Sequence, residues 1–295
     1  MNTVDRWLLE PAPARRLGVL RILVAGYATV FLVARWPSYW SSTNLPARRV
    51  EGVGVLWWLD DRLRPGAVQV VLVVTVLVGI LATIGWRFRF TGPAFAILFL
   101  GIATYRLSFG HVIHTEHLPA LHLLVVGFTR ASDAVSLDAR RQSASWLGGP
   151  NEHERYGWPI KIMVLITVVA YMLAGWAKVR HGGLDWMVGD VLRNQVAFDN
   201  LRKILLGSTH SPIGARLVAH DWVFPPFAVI TVVVEILAFV VLFGRSGANR
   251  AWAVVAWGFH VGILATMAIN FPYQVSFIAY APLFRVEHTL RRFDR

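Results

Sequence analysis

The chain has 295 residues, of which 56% are hydrophobic and only 16% charged, and its mean hydropathy is +0.52. This composition excludes an ordinary soluble domain, in which about a quarter of the residues are charged. Basic residues outnumber acidic ones by 29 to 17, and the absence of cysteine excludes a disulfide framework, thiolate ligands and a cysteine nucleophile. The arginines fall between apolar segments, where they set membrane topology and meet anionic lipid headgroups rather than nucleic acid.

Apolar stretches near membrane-spanning length recur along the chain, which predicts an all-α, polytopic membrane helix bundle with about eight transmembrane helices. The predicted spans are Leu17–Trp36, Ala67–Trp86, Gly92–Gly110, His114–Phe128, Trp158–Val179, Trp222–Gly244, Ala251–Ile269 and Phe271–Phe284. The fourth is short and carries histidines, so we expect it to face other helices rather than lipid. The last is too short to cross comfortably, so we expect it to be buried or re-entrant.

The polar intervals between the spans are too short for an independent soluble core, so we predict a single transmembrane domain over residues 1–295. We expect interfacial helices in the 37–66 and 179–220 loops. We expect no cleavable signal peptide, because the first apolar run is long enough to span and lacks a small-residue cleavage site.

The distribution of basic residues among the loops predicts orientation. Arginine and lysine are more frequent in the loops that lie inside when the N-terminus is cytoplasmic. This bias predicts a multi-pass protein of the cell membrane with both termini cytoplasmic. It places Lys178 and the His111–His117 run toward the outer side.

Ionisable residues at membrane depth are costly, so each one is a functional candidate. For Arg21, one turn into the first span, we expect the side chain to snorkel to the inner headgroups. For Glu235 and His260, near the middles of two spans, we expect a mutually satisfied pair, or pairing with Arg106, that fixes helix packing. A protonated Glu235 is the other interpretation.

A histidine run begins just before the fourth predicted span and continues into it. His111, His114 and His117 repeat every three residues, with Glu116 among them and Arg106 shortly before. Imidazole and carboxylate groups can ligate zinc or iron, and imidazole can also exchange protons. Because the run has neither an i, i+4 pair nor a second cluster of ligands, we expect no metal. Proton or hydrogen-bond chemistry and structural packing both stay open.

Lys178 lies at the end of the fifth predicted span, in a chain with 26 arginines and only three lysines. An ammonium group, unlike guanidinium, can lose its proton when it is desolvated. The preference for arginine elsewhere therefore favours a chemical role for Lys178. The alternative is an interfacial lysine that reaches toward water.

Four stretches of the chain carry motifs in a shared order. They are Leu17-Gly18-Val19-Leu20-Arg21-Ile22; His117 through Asp138; Ala174-Gly175-Trp176-Ala177-Lys178-Val179 with Trp186-Met187-Val188-Gly189; and Phe259-His260 with Asn270-Phe271-Pro272-Tyr273 and Ala281-Pro282-Leu283-Phe284. Together they resemble the membrane domain shared by vitamin-K-dependent gamma-glutamyl carboxylase and its bacterial relatives, the HTTM (horizontally transferred transmembrane) domain.

The resemblance implies an enzyme, a carboxylase-like carbon-carbon lyase and quinol epoxidase. A lysine at the position of Lys178 would deprotonate reduced vitamin K, and oxygen would then convert the quinol to a strongly basic alkoxide. The alkoxide would remove a proton from the substrate, the carbanion would add carbon dioxide, and the quinone would leave as an epoxide. The resemblance places the histidine matching His117 beside the developing negative charge.

The implied cofactor is reduced vitamin K or a menaquinol-like naphthoquinol, and the implied partners are membrane lipid and quinol, without nucleic acid or metal. The carboxylation substrate is not indicated. The predicted catalytic residues are Lys178, His117 and His260. The predicted substrate- and cofactor-binding residues are His114, Trp176, Arg106, Glu235 and Trp186. The alternative function is a non-catalytic multi-pass membrane protein, such as a transporter or assembly partner, whose buried charges serve packing.

Overall fold

The computed structural model describes residues 3–110, 114–143, 146–147, 152–188, 190–244 and 246–293. The predicted all-α class is confirmed, since the strands are two residues each. The α-helices are α1 Thr3–Leu8, α2 Ala14–Ala34, α3 Trp36–Ser42, α4 Pro65–Ile84, α5 Phe88–Leu107, α6 His117–Gly127, α7 Leu137–Ser143, α8 Glu154–Gly182, α9 Asp185–Val188, α10 Val191–Leu205, α11 Pro212–Leu217, α12 Phe224–Ile236, α13 Val240–Phe243, α14 Ser246–Met267 and α15 Pro272–Val275.

Shorter elements connect these helices. The strands β1, Ala12–Pro13, and β2, Glu152–His153, pair antiparallel. The 3₁₀ helices are Ala47–Arg49, Gly54–Leu56, Asp221–Val223, Leu237–Phe239, Ile278–Leu283 and Val286–Phe293. The chain divides into two compact units, the first Met1–Met163 with Arg285–Arg295 and the second Val164–Phe284. The single domain over residues 1–295 stays a prediction.

Six helical segments of the described chain are long and apolar enough to cross a membrane. They are Ala14–Ala34, Pro65–Ile84, Phe88–Leu107, Glu154–Gly182, Asp221–Phe243 and Ser246–Met267. Each lies within a few residues of a predicted span. Their outward faces carry large apolar side chains, such as Val70 and Leu77 of α4, as expected for helices in contact with lipid. The six apolar helices therefore identify an integral, multi-pass membrane protein.

The other two predicted spans, and with them the count of eight, are not shown. The His114–Phe128 segment forms only the 11-residue helix α6. At 1.5 Å per residue, such a helix covers about half of a hydrocarbon core roughly 30 Å thick. The Phe271–Phe284 segment forms only α15 and the 3₁₀ helix Ile278–Leu283. As predicted, α6 packs on other helices, namely α2 and α5.

The segment that contains α6 contacts both ends of α5. At its beginning, Glu116 pairs with Arg106 near the end of α5. Beyond α6, the Asp138 carboxylate accepts hydrogen bonds from the backbone N–H groups of Arg87 at 2.9 Å and Phe88 at 2.8 Å, where α5 begins. These N–H groups have no partner inside the helix, so Asp138 caps α5 from a distant part of the chain. The aspartate that ends the His117–Asp138 stretch is therefore a helix cap.

Arg21 overturns the expectation that it snorkels to the headgroups. Its side chain is fully buried, and it donates hydrogen bonds to the carbonyl oxygens of Ala131 at 3.0 Å and Val135 at 2.5 Å. Both carbonyls belong to the irregular segment that follows α6. Non-helical backbone among membrane helices must be buried in protein and hydrogen-bonded there. The guanidinium group supplies two of these bonds.

The 179–220 loop contains α9, α10 and α11, of which α10 is amphipathic. Val196 and Asn200 lie on its buried face, whereas Phe198, Leu201 and Leu205 are exposed on another face. This pattern is typical of an interfacial helix. The 37–66 loop contains α3 and two 3₁₀ turns. That either loop lies in the interface stays a prediction.

Side chains from α10 cap the end of α14. Asn200 Nδ2 donates to the carbonyl oxygen of Thr266 at 3.0 Å, and Lys203 Nζ donates to that of Met267 at 2.5 Å. The last carbonyl groups of a helix have no partner inside it and carry partial negative charge, which a lysine complements. These bonds attach α10 to the end of a candidate membrane span.

Candidate functional site

An ion pair in the second unit joins two of the predicted site residues. Lys178 Nζ, on α8, donates to both carboxylate oxygens of Glu235, on α12, at 2.6 Å and 2.5 Å. The Lys178 side chain is 20% exposed and that of Glu235 is 5% exposed. The expected pairing of Glu235 with His260 or Arg106 is therefore wrong. A mutually satisfied pair does exist, and it contains the lysine singled out by its rarity.

A glycine allows this ion pair to form. Gly175 lies one turn before Lys178 on the same face of α8. A Cβ atom at this position would lie 2.9 Å from Glu235 Cβ and 2.9 Å from Ile236 Cγ1. Small residues of this kind let membrane helices approach closely. The Ala-Gly-Trp-Ala-Lys motif thus combines a contact point with a charged side chain one turn later.

Gly175→Ala is expected to lower the free energy of unfolding by about 1–3 kcal/mol, because the added methyl group has no space and must push α8 from α12. Thermal unfolding in detergent measures this change. Gly258→Ala is the matched control, since Gly258 lies inside α14 with nothing within 4 Å of the added Cβ, and it should be neutral or slightly stabilising. Equal stability of the two variants would contradict the tight contact at Gly175.

Trp186 of α9 lies beside the ion pair. Lys178 Nζ is 5.5 Å from the centroid of its indole ring, within the range of a cation–π interaction. The ring is 9% exposed and packs with Ala228 and Val232 in an apolar cluster that also includes Ile236. The Lys178 head group therefore has an aromatic wall on one side and the Glu235 carboxylate on another.

A hydrogen-bonded chain of three buried residues also lies in the second unit. His260 Nε2 is 2.7 Å from the Tyr171 hydroxyl group, which is 2.5 Å from the hydroxyl group of Tyr280. Sequence reasoning singled out His260 but missed the two tyrosines. Tyr171 could have been predicted from the sequence, because it lies seven residues before Lys178 and therefore on the same face of a helix. Tyr280 had no such signal.

The first unit holds a separate polar cluster. Arg106 Nη1 pairs with Glu116 Oε1 at 2.5 Å, and the Thr115 hydroxyl group donates to Glu116 Oε2 at 2.6 Å. The Nδ1 atoms of His114 and His117 lie 3.2 Å apart, and both side chains are exposed. Partial burial lowers the pKa of His117, His114 lowers it further, and Glu116 raises it. His111 lies outside the described residues.

The predicted site residues thus fall into two groups. Lys178, Glu235 and Trp186 are in contact within the second unit, which also contains His260. Trp176 is in that unit too, but it is 60% exposed and lies two residues before Lys178, on the other side of α8. The remaining predicted residues, His114, His117 and Arg106, belong to the first unit. The roles of Trp176, and of His117 beside a developing charge, stay predictions.

A metal centre has no support in the described part of the chain, where no group of three or more histidine, cysteine, aspartate or glutamate residues is placed to hold an ion. The chemically active groups near Lys178 are an amine, a carboxylate and an indole N–H. Such groups bind, orient and exchange protons with an organic ligand.

Six candidate spans and an ion pair between two of them define a polytopic α-helical membrane protein with a polar group of residues among its helices. The chain belongs to the HTTM domain family, whose domain matches residues 9–287. The resemblance carried by the four motifs is therefore confirmed at the level of the family. No curated protein and no solved structure matches the chain.

Proposed function

We propose that this HTTM protein binds a quinol or another isoprenoid lipid and that the Lys178–Glu235 pair takes a proton from the hydroxyl group of its ligand. The observation that carries the proposal is the pair itself, in which a nearly buried carboxylate binds the head group of a partly buried lysine that also lies against an indole ring. A flat phenolic ring suits the aromatic wall, and its hydroxyl group suits the acid–base pair. An apolar tail suits the surrounding helices.

The pair can accept one proton. Lys178 and Glu235 share one proton. When this proton is on Lys178 Nζ, the Glu235 carboxylate accepts the proton of the ligand. When it is on Glu235, the neutral amine of Lys178 is the general base. Either form ends with an ammonium group at Lys178 and a carboxylic acid at Glu235. Lys178 then stabilises the negative charge left on the ligand oxygen.

A bound naphthoquinol would supply the reducing equivalents and the strong base of vitamin-K-dependent carboxylation. His260, with Tyr171 and Tyr280, adds groups that exchange protons in the same unit, and three hydrogen-bonded groups in series support that role. By resemblance, the proposal extends to proton abstraction from, and carboxylation of, a substrate that the residues do not specify.

Turnover of a naphthoquinol tests the proposal. Proteoliposomes that contain the full chain are supplied with quinol, oxygen and bicarbonate, and quinol consumption and epoxide are measured. Lys178→Ala is expected to reduce the rate at least about 100-fold, the usual minimum for loss of a general base. Lys161→Ala is the matched control, because Lys161 also lies on α8, pairs with Glu10 at 2.5 Å and lies 5.2 Å from the Trp7 ring. It should retain the wild-type rate.

The mutual satisfaction of the pair also favours the alternative, a non-catalytic transporter or assembly partner in which the two charges fix helix packing. Lys178→Arg separates the two functions. Arginine can preserve an ion pair with Glu235 but cannot act as a base near neutral pH. A stable, inactive Lys178→Arg protein supports catalysis. A wild-type protein that consumes no quinol supports packing.

A further inference from the structure

We propose that the corner between α4 and α5, together with α7, binds the phosphate headgroup of an anionic membrane phospholipid. Four exposed arginines supply the positive charge, namely Arg87 and Arg89 where α5 begins and Arg140 and Arg141 in the last turn of α7. The site lies in the first unit, and it uses none of the groups in the proposed proton transfer.

Hydrogen bonds hold α7 against this corner. The Asp138 carboxylate accepts from two backbone N–H groups at the start of α5, and the Asp138 N–H group donates to the carbonyl oxygen of Gly85 at 3.0 Å. Arg140 and Arg141 follow Asp138 by two and three residues, so they lie within one helical turn of this contact. Two pairs of arginines from distant parts of the chain therefore belong to one region of the surface.

The four arginines form no ion pair with an acidic residue of the described chain. By contrast, Arg130, Arg193 and Arg202 each lie within 4.0 Å of an aspartate three residues away. The carboxylate of Asp138, the acidic residue at this corner, is occupied by the backbone N–H groups of α5. An uncompensated group of like charges attracts an anion that the protein does not itself supply.

Aromatic rings position the two guanidinium groups of the corner. Cζ of Arg87 lies 5.1 Å from the centroid of the Trp86 ring, and Cζ of Arg89 lies 5.8 Å from that of the Phe90 ring. A guanidinium group that stacks on a ring keeps the N–H donors at its edge, and these donors match phosphate oxygens in pairs. Because tryptophan prefers the headgroup level of a bilayer, these donors lie at the depth of lipid phosphates.

The backbone of Arg87 supports a role for its side chain. Its φ and ψ angles are 45° and 44°, a left-handed conformation that costs free energy in residues with a Cβ atom. Glycine and asparagine adopt this conformation more readily. An arginine at such a position is explained if its side chain contributes binding.

Exposed apolar side chains continue from the arginines along both spans. Ile84 and Ile80 lie four residues apart on one face of α4, and Phe90 and Ile97 lie seven residues apart on one face of α5. Acyl chains pack on such faces, whereas a free phosphate ion gains nothing from them. The ligand is therefore a lipid, with its phosphate at the arginines and its chains along α4 and α5.

Lipid binding to the full chain, measured by native mass spectrometry in detergent, tests the site. The probes are phosphatidylglycerol and phosphatidylcholine with the same acyl chains. We expect wild type to prefer phosphatidylglycerol by about 10-fold or more, because the arginines attract its net charge and repel the choline ammonium group. The corner variant, Arg87→Asn with Arg89→Gln, and the α7 variant, Arg140→Gln with Arg141→Gln, should each weaken phosphatidylglycerol binding about 10-fold and spare phosphatidylcholine.

Arg48→Gln with Arg49→Gln is the matched control, because it removes two exposed arginines of the 37–66 loop and the same charge, and it should bind both lipids as wild type does. Equal losses in the control and the corner variant would show a response to net charge alone and would overturn the site. An α7 variant that binds as wild type does would contradict a site shared between α7 and the corner.

Two measurements on wild type decide the outcome even if a variant fails to fold. Equal affinity for the two lipids would contradict an anionic headgroup as the ligand. Displacement of phosphatidylglycerol by millimolar inorganic phosphate at constant ionic strength would identify a free anion, rather than a lipid, as the ligand. A preference for phosphatidylglycerol that persists in phosphate supports the lipid site.

Discussion

Arg21→Ala is expected to destabilise the protein by roughly 2–6 kcal/mol, the largest effect of any single substitution considered for the first unit. The change leaves the carbonyl groups of Ala131 and Val135 buried without their donor, at about 1–3 kcal/mol each. It also opens a cavity where a fully buried side chain had been. Thermal unfolding in detergent, together with the yield of monodisperse protein, measures the loss.

Two further variants make the Arg21 experiment specific. Arg35→Ala removes an exposed arginine just beyond the end of the same helix and should change stability by less than about 0.5 kcal/mol. Arg21→Lys should be intermediate, because a single ammonium group lacks the fork of donors that reaches two carbonyl groups. An Arg21→Ala protein as stable as wild type would show that the carbonyl groups find other partners.

Glu235→Ala is expected to cost about 3–5 kcal/mol, because it leaves the Lys178 ammonium group partly buried in a membrane helix without its counter-ion. The double variant Lys178→Leu with Glu235→Leu should recover most of this stability. Replacing both partners of a buried ion pair with apolar residues is often neutral or stabilising. Unfolding temperatures of wild type and the two variants in one detergent give the comparison. A double variant no more stable than Glu235→Ala would contradict a self-contained pair.

Hydropathy alone predicted six spans to within a few residues, because length and apolar content are local properties that a bilayer selects directly. At His114–Phe128 a span is not shown, and the expectation that Arg21 snorkels to the headgroups is wrong. The helix α6 ends at Gly127, and the irregular segment beyond it is hydrogen-bonded by Arg21, more than 100 positions earlier in the chain. A window of neighbouring residues cannot contain both partners of such a contact.

The two residues of the ion pair were each predictable from the sequence, but their pairing was not. Lys178 was singled out by its rarity and its motif, and Glu235 by its depth in a span. Their contact depends on the close approach that Gly175 allows between α8 and α12, which single-residue arguments do not reveal. The partner of His260 was missed for the same reason, because Tyr171 becomes relevant only when its face of α8 is known.

Quinol consumption by the Lys178→Leu, Glu235→Leu double variant, measured beside wild type in proteoliposomes of one lipid composition, tests the central claim most directly. The double variant keeps the helices packed while it removes the acid–base pair, so folding and chemistry are separated. The account predicts that wild type consumes naphthoquinol and forms an epoxide, and that the folded double variant consumes quinol at the rate of empty vesicles. Equal consumption by the two proteins, or none by wild type, would contradict a chemical role for the Lys178–Glu235 pair.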